Sequence, residues 1–273
     1  MKKTTLLTLP VLAALLTGCA SLEFSGSGHM SIQLSDEQEM KFVWIPALHG
    51  WCGKYEVTNG EYRSFRPDHD SGESCGHSLN GDRQPVVQVN RDDAQAFIDW
   101  IETRCVLPPG YELKLPSQEE WMTVAECGDG RDYPWGAAWP PPNNWNYHGA
   151  EGALSVGSIE GHRDAWPVSC PVEYSGRNDW GLYGVGGNVW ELTDALYKNG
   201  KYVLRGAHWG DTAPRWLRCD RRLTASDDRS SFGGFRLFLL PKSAKQWIDS
   251  FQCRKKDRIL FSSAEDEWTS EIL

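Results

Sequence analysis

Residues 128–235 limit the possible folds more than any other part of the chain, because they show no sustained helical or strand periodicity. Gly, Pro, Asn and Trp are frequent in this stretch, and the whole chain carries 14 Trp and 27 Gly. A disordered segment would not hold so many large aromatic side chains, since these residues stabilise packed cores. The stretch therefore predicts an ordered but irregular region, held by short strands, buried aromatic rings and, as a further option, bound ions.

Regular structure is predicted mainly before this region. The segment 40–47 (MKFVWIPA) predicts a strand. Asn90 is placed to cap a helix whose apolar residues are spaced i, i+3, i+4, i+7. These residues are Ala94, Phe97, Ile98 and Ile101. A second helix is predicted to begin after Ser117, which forms a capping-box pattern with Glu120, and to end at Gly128.

The N-terminus predicts export and a lipid anchor. Lys2 and Lys3 precede an apolar run over residues 6–16, which is too short for an ordinary membrane-spanning helix and is typical of a signal peptide at 1–18. The letters LTGC resemble a bacterial lipobox, whose cysteine, here Cys19, would carry the acyl chains that anchor the protein. The alternative is an ordinary signal peptide with a chance cysteine.

Residues 19–37 are polar and rich in Ser and Gly after the lipid-bearing cysteine, which is typical of a flexible tether between lipid and domain. Ala20 does not match an inner-membrane retention signal. The sequence therefore predicts a lipid-anchored protein of the bacterial cell envelope, at the outer membrane. A nucleic-acid partner is not expected, because a formal net charge of −9 opposes binding to phosphates.

Seven cysteines follow Cys19, and an exported protein can oxidise such residues to disulfides. Because seven is an odd number, at least one thiol stays unpaired within a monomer. The sequence contains no CxxC motif and no zinc-type spacing of Cys and His. It leaves the pairing open.

Eight motifs in series resemble the formylglycine-generating enzyme family, also called sulfatase-modifying factors. In chain order they are KYEVTNGEYRSF, PVVQVNRDDAQAFIDW, LPSQEEW, YPWG, WGLYGVGGNVWELT, VLRGAHW, RCDRR and GGFR. The resemblance implies a domain at 38–241, followed by a C-terminal extension at 242–273. The fold it implies is α+β, the formylglycine-generating-enzyme variant of the C-type lectin fold, loop-rich with little regular secondary structure.

Two of these motifs predict internal structure rather than chemistry. In GGNVWELT, Trp190 is expected to be a large buried side chain and Glu191 an internal hydrogen-bond acceptor. In GGFR, Phe235 is expected in the core, with Arg236 bound to a carboxylate.

The resemblance also implies a reaction, the oxygen-dependent oxidation of a sulfatase cysteine at a copper centre. That centre uses two cysteines five residues apart, since Cu(I) prefers soft thiolates. The second maps onto Cys219 in RCDRR, and the first maps onto Pro214, which has no thiol. Copper is therefore not expected. Cys219 stays open to three interpretations: a low-pKa thiolate beside arginines, a buried inert thiol, or half of a disulfide.

Three further positions depart from the pattern of the family. Arg91 replaces the usual Trp, Lys114 replaces the usual Arg, and His208 replaces the Ser of an RGGSW block. Altered site residues on a retained scaffold favour a different function over the family's reaction.

Calcium is the ion that the resemblance implies for structural reasons, through oxygen ligands that suit a hard cation. One implied site uses Asn146, the Tyr147 carbonyl, Asp164 and the Trp166 carbonyl. A weaker second site would use Gly187, Val189 and Glu191, together with position 184. Position 184 is glycine here, where the family has Asp or Asn. Ordinary turn chemistry of Asn and Asp is the alternative at both.

The functional hypothesis is a non-catalytic envelope lipoprotein that binds an unknown protein or glycan. The segment HWGDTAPRW is the predicted ligand-facing loop, because Trp and Arg dominate binding hot spots. Its candidate residues are His208, Trp209, Asp211, Arg215 and Trp216. The alternative is an oxidoreductase of the formylglycine-generating type with a modified metal centre at Cys219. A third option is a domain whose loops near GGFR vary between related genes and so change ligand specificity. Such variable loops usually end near the chain terminus, and the 37 residues that follow Arg236 disfavour this option.

Overall fold

The computed structural model describes residues 21–24, 28–197, 200–225 and 229–243. The predicted signal peptide, the lipidation site Cys19, Cys253 and most of the C-terminal extension lie outside these residues. Within them the helices are α1 (Asn59–Arg63), α2 (Arg91–Glu102) and α3 (Gln118–Ala125). The strands are β1 (Ser21–Phe24), β2 (His29–Gln33), β3 (Glu39–Ile45), β4 (Gly50–Gly53), β5 (Glu73–Ser74), β6 (His77–Ser78), β7 (Tyr111–Lys114), β8 (Trp190–Leu196), β9 (Tyr202–Arg205), β10 (Arg222–Ala225), β11 (Gly233–Gly234) and β12 (Phe238–Pro241).

The strands form two main sheets. An antiparallel six-stranded sheet has the order β1-β2-β3-β4-β12-β7, and β12 joins it from the far end of the domain. A four-stranded sheet has the order β10-β9-β8-β11, with β11 parallel to β8 and the other pairs antiparallel. The hairpin of β5 and β6 stands apart from both.

Helices α2 and α3 cover opposite faces of the six-stranded sheet. Alternate residues of a strand point to opposite faces, and β3 shows this pattern. Phe42 shares a buried cluster with Phe97 of α2, whereas Val43 shares a second cluster with Trp121 of α3. The first cluster also contains Trp190 of β8, so it lies between the two main sheets.

Capping explains where the two longer helices begin. Asn90 accepts the backbone N–H of Asp93 at 3.0 Å, and the Asp93 carboxylate accepts the Asn90 N–H at 3.0 Å. Ser117 and Glu120 form the same reciprocal pair at 3.1 and 2.7 Å. Both predicted caps are confirmed, and each satisfies N–H groups that the first turn leaves without partners. The second helix ends at Ala125, three residues before the predicted stop.

The prediction of a flexible tether over residues 19–37 is wrong for most of its described part. Residues 21–24 form β1 and residues 29–33 form β2, which pairs with β3. The reason lies in the side chains: Met30 and Ile32 alternate with polar residues, and both are at most 2% exposed. This apolar pattern of period two outweighs a composition rich in Ser and Gly.

The irregular region is ordered by aromatic packing, as predicted. Tyr133, Trp145 and Tyr147 are buried together in one cluster, and the ring of Trp135 stacks on that of Tyr133 at 4.8 Å. The loop-rich α+β fold is thus confirmed. Among the described residues, no helix has both the length and the apolar character needed to cross a membrane.

A buried ion pair joins the two sheets. Arg236 binds Glu191 through Nε at 2.9 and 2.8 Å and through Nη2 at 2.6 Å. Its remaining N–H groups donate to the carbonyls of Gly53 and Tyr183, and Glu191 also accepts the indole N–H of Trp121 at 2.7 Å. The predictions that Glu191 is an internal acceptor and that Arg236 meets a carboxylate are confirmed.

Candidate functional site

A cavity of about 150 Å³ lies between the first turn of α2 and the four-stranded sheet. Its floor is one face of that sheet, because the lining residues of each strand are two positions apart and therefore point the same way. They are Trp190 and Leu192 of β8, Tyr202 and Leu204 of β9, and Leu223 and Ala225 of β10. Polar groups at its wall come from Asn90, Arg91, His208 and Ser230. We call this space the Arg91–His208 cavity.

Arg91 supplies the positive charge of the cavity. It is the first residue of α2, and its guanidinium carbon lies 5.8 Å from the centre of the Tyr202 ring. Its Nε is buried and has no hydrogen-bond partner. A buried donor without a partner costs free energy, so an acceptor that reached this group would be favoured.

His208 supplies a neutral donor on the same wall. Its Nδ1 accepts the backbone N–H of Gly210 at 2.9 Å, which places the ring proton on Nε2. Nε2 lies 3.7 Å from Oδ1 of Asp211. Burial, together with the nearby His148, lowers the pKa of His208 to about 3, so the ring is uncharged at neutral pH. Its face packs on Phe232, with ring centres 4.3 Å apart.

Asp211 closes the turn that holds His208. Its carboxylate accepts the backbone N–H of His208 at 2.9 Å. Burial raises the pKa of Asp211 to about 6, against the opposing effects of that hydrogen bond and of Arg221. The carboxylate therefore positions His208 rather than lying open to a ligand.

Cys219 lies outside the Arg91–His208 cavity and is shielded from solvent. It is 2% exposed, packs beside Trp121 and Val124 in the cluster under α3, and does not line the Arg91–His208 cavity. Burial raises the pKa of its thiol well above the ordinary value, and the carboxylate of Glu126 adds to the shift. The interpretation as a low-pKa thiolate is therefore wrong, because desolvation outweighs the neighbouring arginines.

Position 214, where the resemblance implies the first copper ligand, is a proline without a thiol. Pro214 is exposed and begins a short 3₁₀ turn, Pro214–Trp216. No group of three or more His, Cys, Asp or Glu side chains within the described residues is arranged to hold a metal ion. The thiols of Cys52, Cys75, Cys105, Cys127, Cys170 and Cys219 are all free in this part of the chain.

The predicted ligand-facing loop divides between core and surface. His208 lines the cavity, whereas Trp209 is 1% exposed and packs in the core, so its assignment to a ligand surface is wrong. Trp216 is half-buried under the guanidinium of Arg221, 3.9 Å from its ring centre. Arg215 is exposed next to it.

The first implied calcium site contains donors that fit a cation. Oδ1 of Asn146 is buried without a hydrogen-bond partner, while its Nδ2 donates to the carbonyl of Val168. The Asp164 side chain is 4% exposed and accepts the backbone N–H groups of Tyr147 and Trp166 at 3.1 and 2.6 Å. No Lys or Arg of the described residues pairs with this carboxylate, so its charge suits a hard cation.

The second implied calcium site does not fit. The carboxylate of Glu191 is already matched by the guanidinium of Arg236. Gly184 supplies no side-chain ligand, and a Cβ at that position would overlap the carboxylate of Glu56 as it is placed. These contacts disfavour a cation at the set Gly187, Val189 and Glu191.

Comparison with known proteins agrees with this architecture. Residues 24–239 match the family described as the sulfatase-modifying factor enzyme 1-like domain. The chain belongs to this family. Among curated relatives, the sulfatase-modifying-factor-like domain is 36% identical over 161 residues to the inactive C-alpha-formylglycine-generating enzyme 2 of Bos taurus, covering 56% of this chain and 49% of that protein. It is 33% identical over 149 residues to the formylglycine-generating enzyme of Thermomonospora curvata, covering 54% and 40%.

The match thus spans less than half the length of either relative. Solved structures share the fold at lower identity. PvdO from Pseudomonas aeruginosa aligns with a TM-score of 0.53 at 21% identity, over 70% of this chain and 80% of that one. The variable protein 1 of Treponema denticola aligns with a TM-score of 0.59 at 18% identity, over 76% and 97%.

The sulfatase-modifying-factor-like domain brings two of its departures from the family together. Arg91 and His208 are far apart in sequence and line one cavity. Sequence reasoning noted each substitution but did not place them in a common site. The signal was available, because both interrupt motifs that otherwise match the family.

Proposed function

We propose that this protein is an envelope lipoprotein whose sulfatase-modifying-factor-like domain binds a ligand in the Arg91–His208 cavity and does not generate formylglycine. The observation that carries the proposal is the location of the altered residues. Arg91 and His208 face the cavity, whereas Cys219 is buried away from it with a raised pKa. Resemblance to a protein named as inactive supports the same conclusion.

The ligand group that suits the cavity is an apolar side chain next to a carboxylate. A volume of about 150 Å³ matches one aromatic ring or branched aliphatic group. Arg91 can form a charge-assisted hydrogen bond to a carboxylate, and the neutral His208 can donate through Nε2. Such a pair of features is found at the C-terminus of a peptide that ends in an apolar residue.

Calorimetry with two matched probes tests this ligand class. The chain carrying Cys19→Ser, which cannot be lipidated, is titrated with N-acetylphenylalanine and with N-acetylphenylalaninamide. The acid is expected to bind at least tenfold more tightly, since charged hydrogen bonds contribute about 1.5–3 kcal/mol. Arg91→Gln should remove this preference, while Arg104→Gln, at the other end of α2, should leave it unchanged. Equal binding of both probes to the parent chain would refute the assignment.

The alternative, an oxidoreductase with a rebuilt centre, is tested by Cu(I) titration. We expect no tight one-to-one binding that Cys219→Ser abolishes, and no oxygen-dependent conversion of a Cys-x-Pro-x-Arg peptide by mass spectrometry. Either activity in the parent chain would support the enzymatic function instead.

Two further parts of the proposal concern the anchor and the ion. Labelled palmitate should enter the parent protein and not Cys19→Ser, and the labelled protein should fractionate with the outer membrane. Calcium should raise the thermal midpoint of the parent chain, because a bound ion stabilises the native state. Asp164→Asn should abolish that rise.

A further inference from the structure

Backbone pairing aligns three positive side chains on a face separate from the Arg91–His208 cavity. The N–H of Lys54 donates to the carbonyl of Lys41 at 2.7 Å, and the N–H of Tyr183 donates to the carbonyl of Lys54 at 2.9 Å. Tyr183 in turn forms an isolated antiparallel bridge with Arg177. We call Lys41, Lys54 and Arg177 the cationic strip. It stands out on a chain whose net charge is −9.

Two of the three strip residues form no ion pair within the described part of the chain, although Glu23 and Glu39 line the same pocket as Lys41 and Lys54. Neither Lys54 nor Arg177 has a carboxylate within ion-pair distance in the described ranges, and Lys41 pairs only with Glu39, in an exposed contact of 3.3 Å. Nζ of Lys54 lies 5.6 Å from the ring centre of Tyr183. Partial burial, followed by the charges of Lys41 and Arg177, lowers the pKa of Lys54, against the opposing effect of the Glu173 carboxylate. An anion placed here would relieve this repulsion.

An open groove with aromatic walls begins where the strip ends. Its lining includes Arg177, Tyr183, Trp166 and Tyr174, around a volume of about 460 Å³. Two acidic residues, Asp164 and Glu173, also line it. Both carboxylates already have donors, because Glu173 pairs with Arg83 and Asp164 accepts two backbone N–H groups. The ring of Tyr174 is 62% exposed and its centre is 5.8 Å from that of Trp166. Two aromatic rings next to an open groove offer the flat, electron-rich surfaces on which the C–H face of a pyranose ring can stack.

The groove also carries planar polar groups. The exposed amides of Asn143 and Asn144 border it, and amides can donate to and accept from hydroxyl groups together. Arg177 presents a planar fork that matches a carboxylate, which Lys54 can reinforce as a point charge.

From these contacts we infer that the groove and the cationic strip form a binding site for a saccharide that carries carboxylates, of the uronic-acid type. The aromatic rings and amides contact the sugar rings, and Arg177 and Lys54 contact the acid groups. The site shares no residue with the Arg91–His208 cavity and does not depend on the function proposed for it. It shares Asp164 and Trp166 with the first implied calcium site, so its titrations are run without calcium.

Three probes of similar length distinguish recognition of the sugar rings from recognition of the negative charge. The full chain with Cys19→Ser is titrated in a calorimeter with hexagalacturonate, neutral maltohexaose and hexaglutamate. Hexagalacturonate is expected to bind, with both others at least tenfold weaker. Raising the salt from 50 to 200 mM should weaken its binding, since exposed charges are screened.

Exposed residues provide the variants, so that the fold is kept. Arg177→Gln and Tyr174→Ala should each weaken hexagalacturonate binding about tenfold or more. Arg104→Gln and Tyr197→Ala, which remove an arginine and a partly exposed tyrosine elsewhere, should not change it. Near-ultraviolet circular dichroism verifies that each variant is folded.

Several results would overturn the inference. Equal binding of hexaglutamate would show a general polyanion surface, and equal binding of maltohexaose would show that the strip is not used. Absence of hexagalacturonate binding at millimolar concentration, or full binding by Arg177→Gln, would also reject it. Arg91→Gln should leave this binding intact, so that failure of the cavity proposal and failure of this inference give different results.

Discussion

Replacement of Arg236 by methionine should destabilise the domain more than the removal of any surface charge. Arg236 is fully buried and makes three of its hydrogen bonds to Glu191. Without it, the carboxylate keeps only the indole N–H of Trp121, and the carbonyls of Gly53 and Tyr183 each lose a donor. An unmatched buried charge is the costliest of these changes.

The magnitude follows from these contacts. Removing one partner of a buried ion pair costs about 3–5 kcal/mol. In the double variant Arg236→Met with Glu191→Gln, the charge of residue 191 is gone and the glutamine can still accept from the indole. The two carbonyls then lack donors, and Glu56, 4.0 Å from Nη2 of Arg236, loses its cation in both Arg236 variants. Because the unmatched charge of Glu191 is absent, the double variant should be more stable than the sum of the single effects predicts, by about 2 kcal/mol or more.

Urea unfolding followed by tryptophan fluorescence measures the four free energies of the cycle. Arg218→Met is the matched control, because Arg218 pairs with Asp132 at 2.7 Å on the surface, where about 1 kcal/mol or less is expected. Additivity of the two single changes within about 0.5 kcal/mol would refute the reasoning, as would a control that costs as much as Arg236→Met.

Three further predictions concern thiols, pH and glycine. A disulfide reagent such as DTNB should modify Cys75, which is exposed, within seconds, and Cys219 only after unfolding; loss of the fast phase in Cys219→Ser rather than Cys75→Ser would contradict this. Burial raises the pKa of Glu61 to about 7, so the folded state favours its protonated form, and the free energy of unfolding should fall as the pH rises from 4.5 to 7. The expected loss over this pH range is on the order of 3 kcal/mol. In Glu61→Gln, the free energy of unfolding from urea titrations should depend less on pH. Gly176→Ala should lower the thermal midpoint far more than Gly72→Ala, because both have positive φ but only the former methyl would overlap a buried tryptophan ring; equal shifts would reject the steric argument.

Features that depend on neighbours in sequence were predictable. The caps at Asn90 and Ser117 use hydrogen bonds that close within three residues, so the letters alone specify them. The pairing of Arg236 with a carboxylate followed from the high cost of burying an isolated guanidinium. Its partner Glu191 could be named only as an internal acceptor.

Features that depend on contacts distant in sequence were not predictable. Arg91 and His208 share a cavity only because β9 and β10 place their apolar face between α2 and the turn after β9. For Cys219, the charges of neighbouring arginines left an activated thiol as one of three interpretations. Its depth beneath α3 excludes that interpretation, and depth cannot be read from the local sequence.

The edge strand β1 begins at Ser21, two residues after Cys19. Two extended residues reach only about 7 Å, whereas a coil of eighteen residues would average on the order of 23 Å. With Cys19 acylated as proposed, no long linker separates the domain from the lipid, and the six-stranded sheet is held close to the lipid headgroups. It would then meet only molecules that come within a thin layer at the bilayer surface.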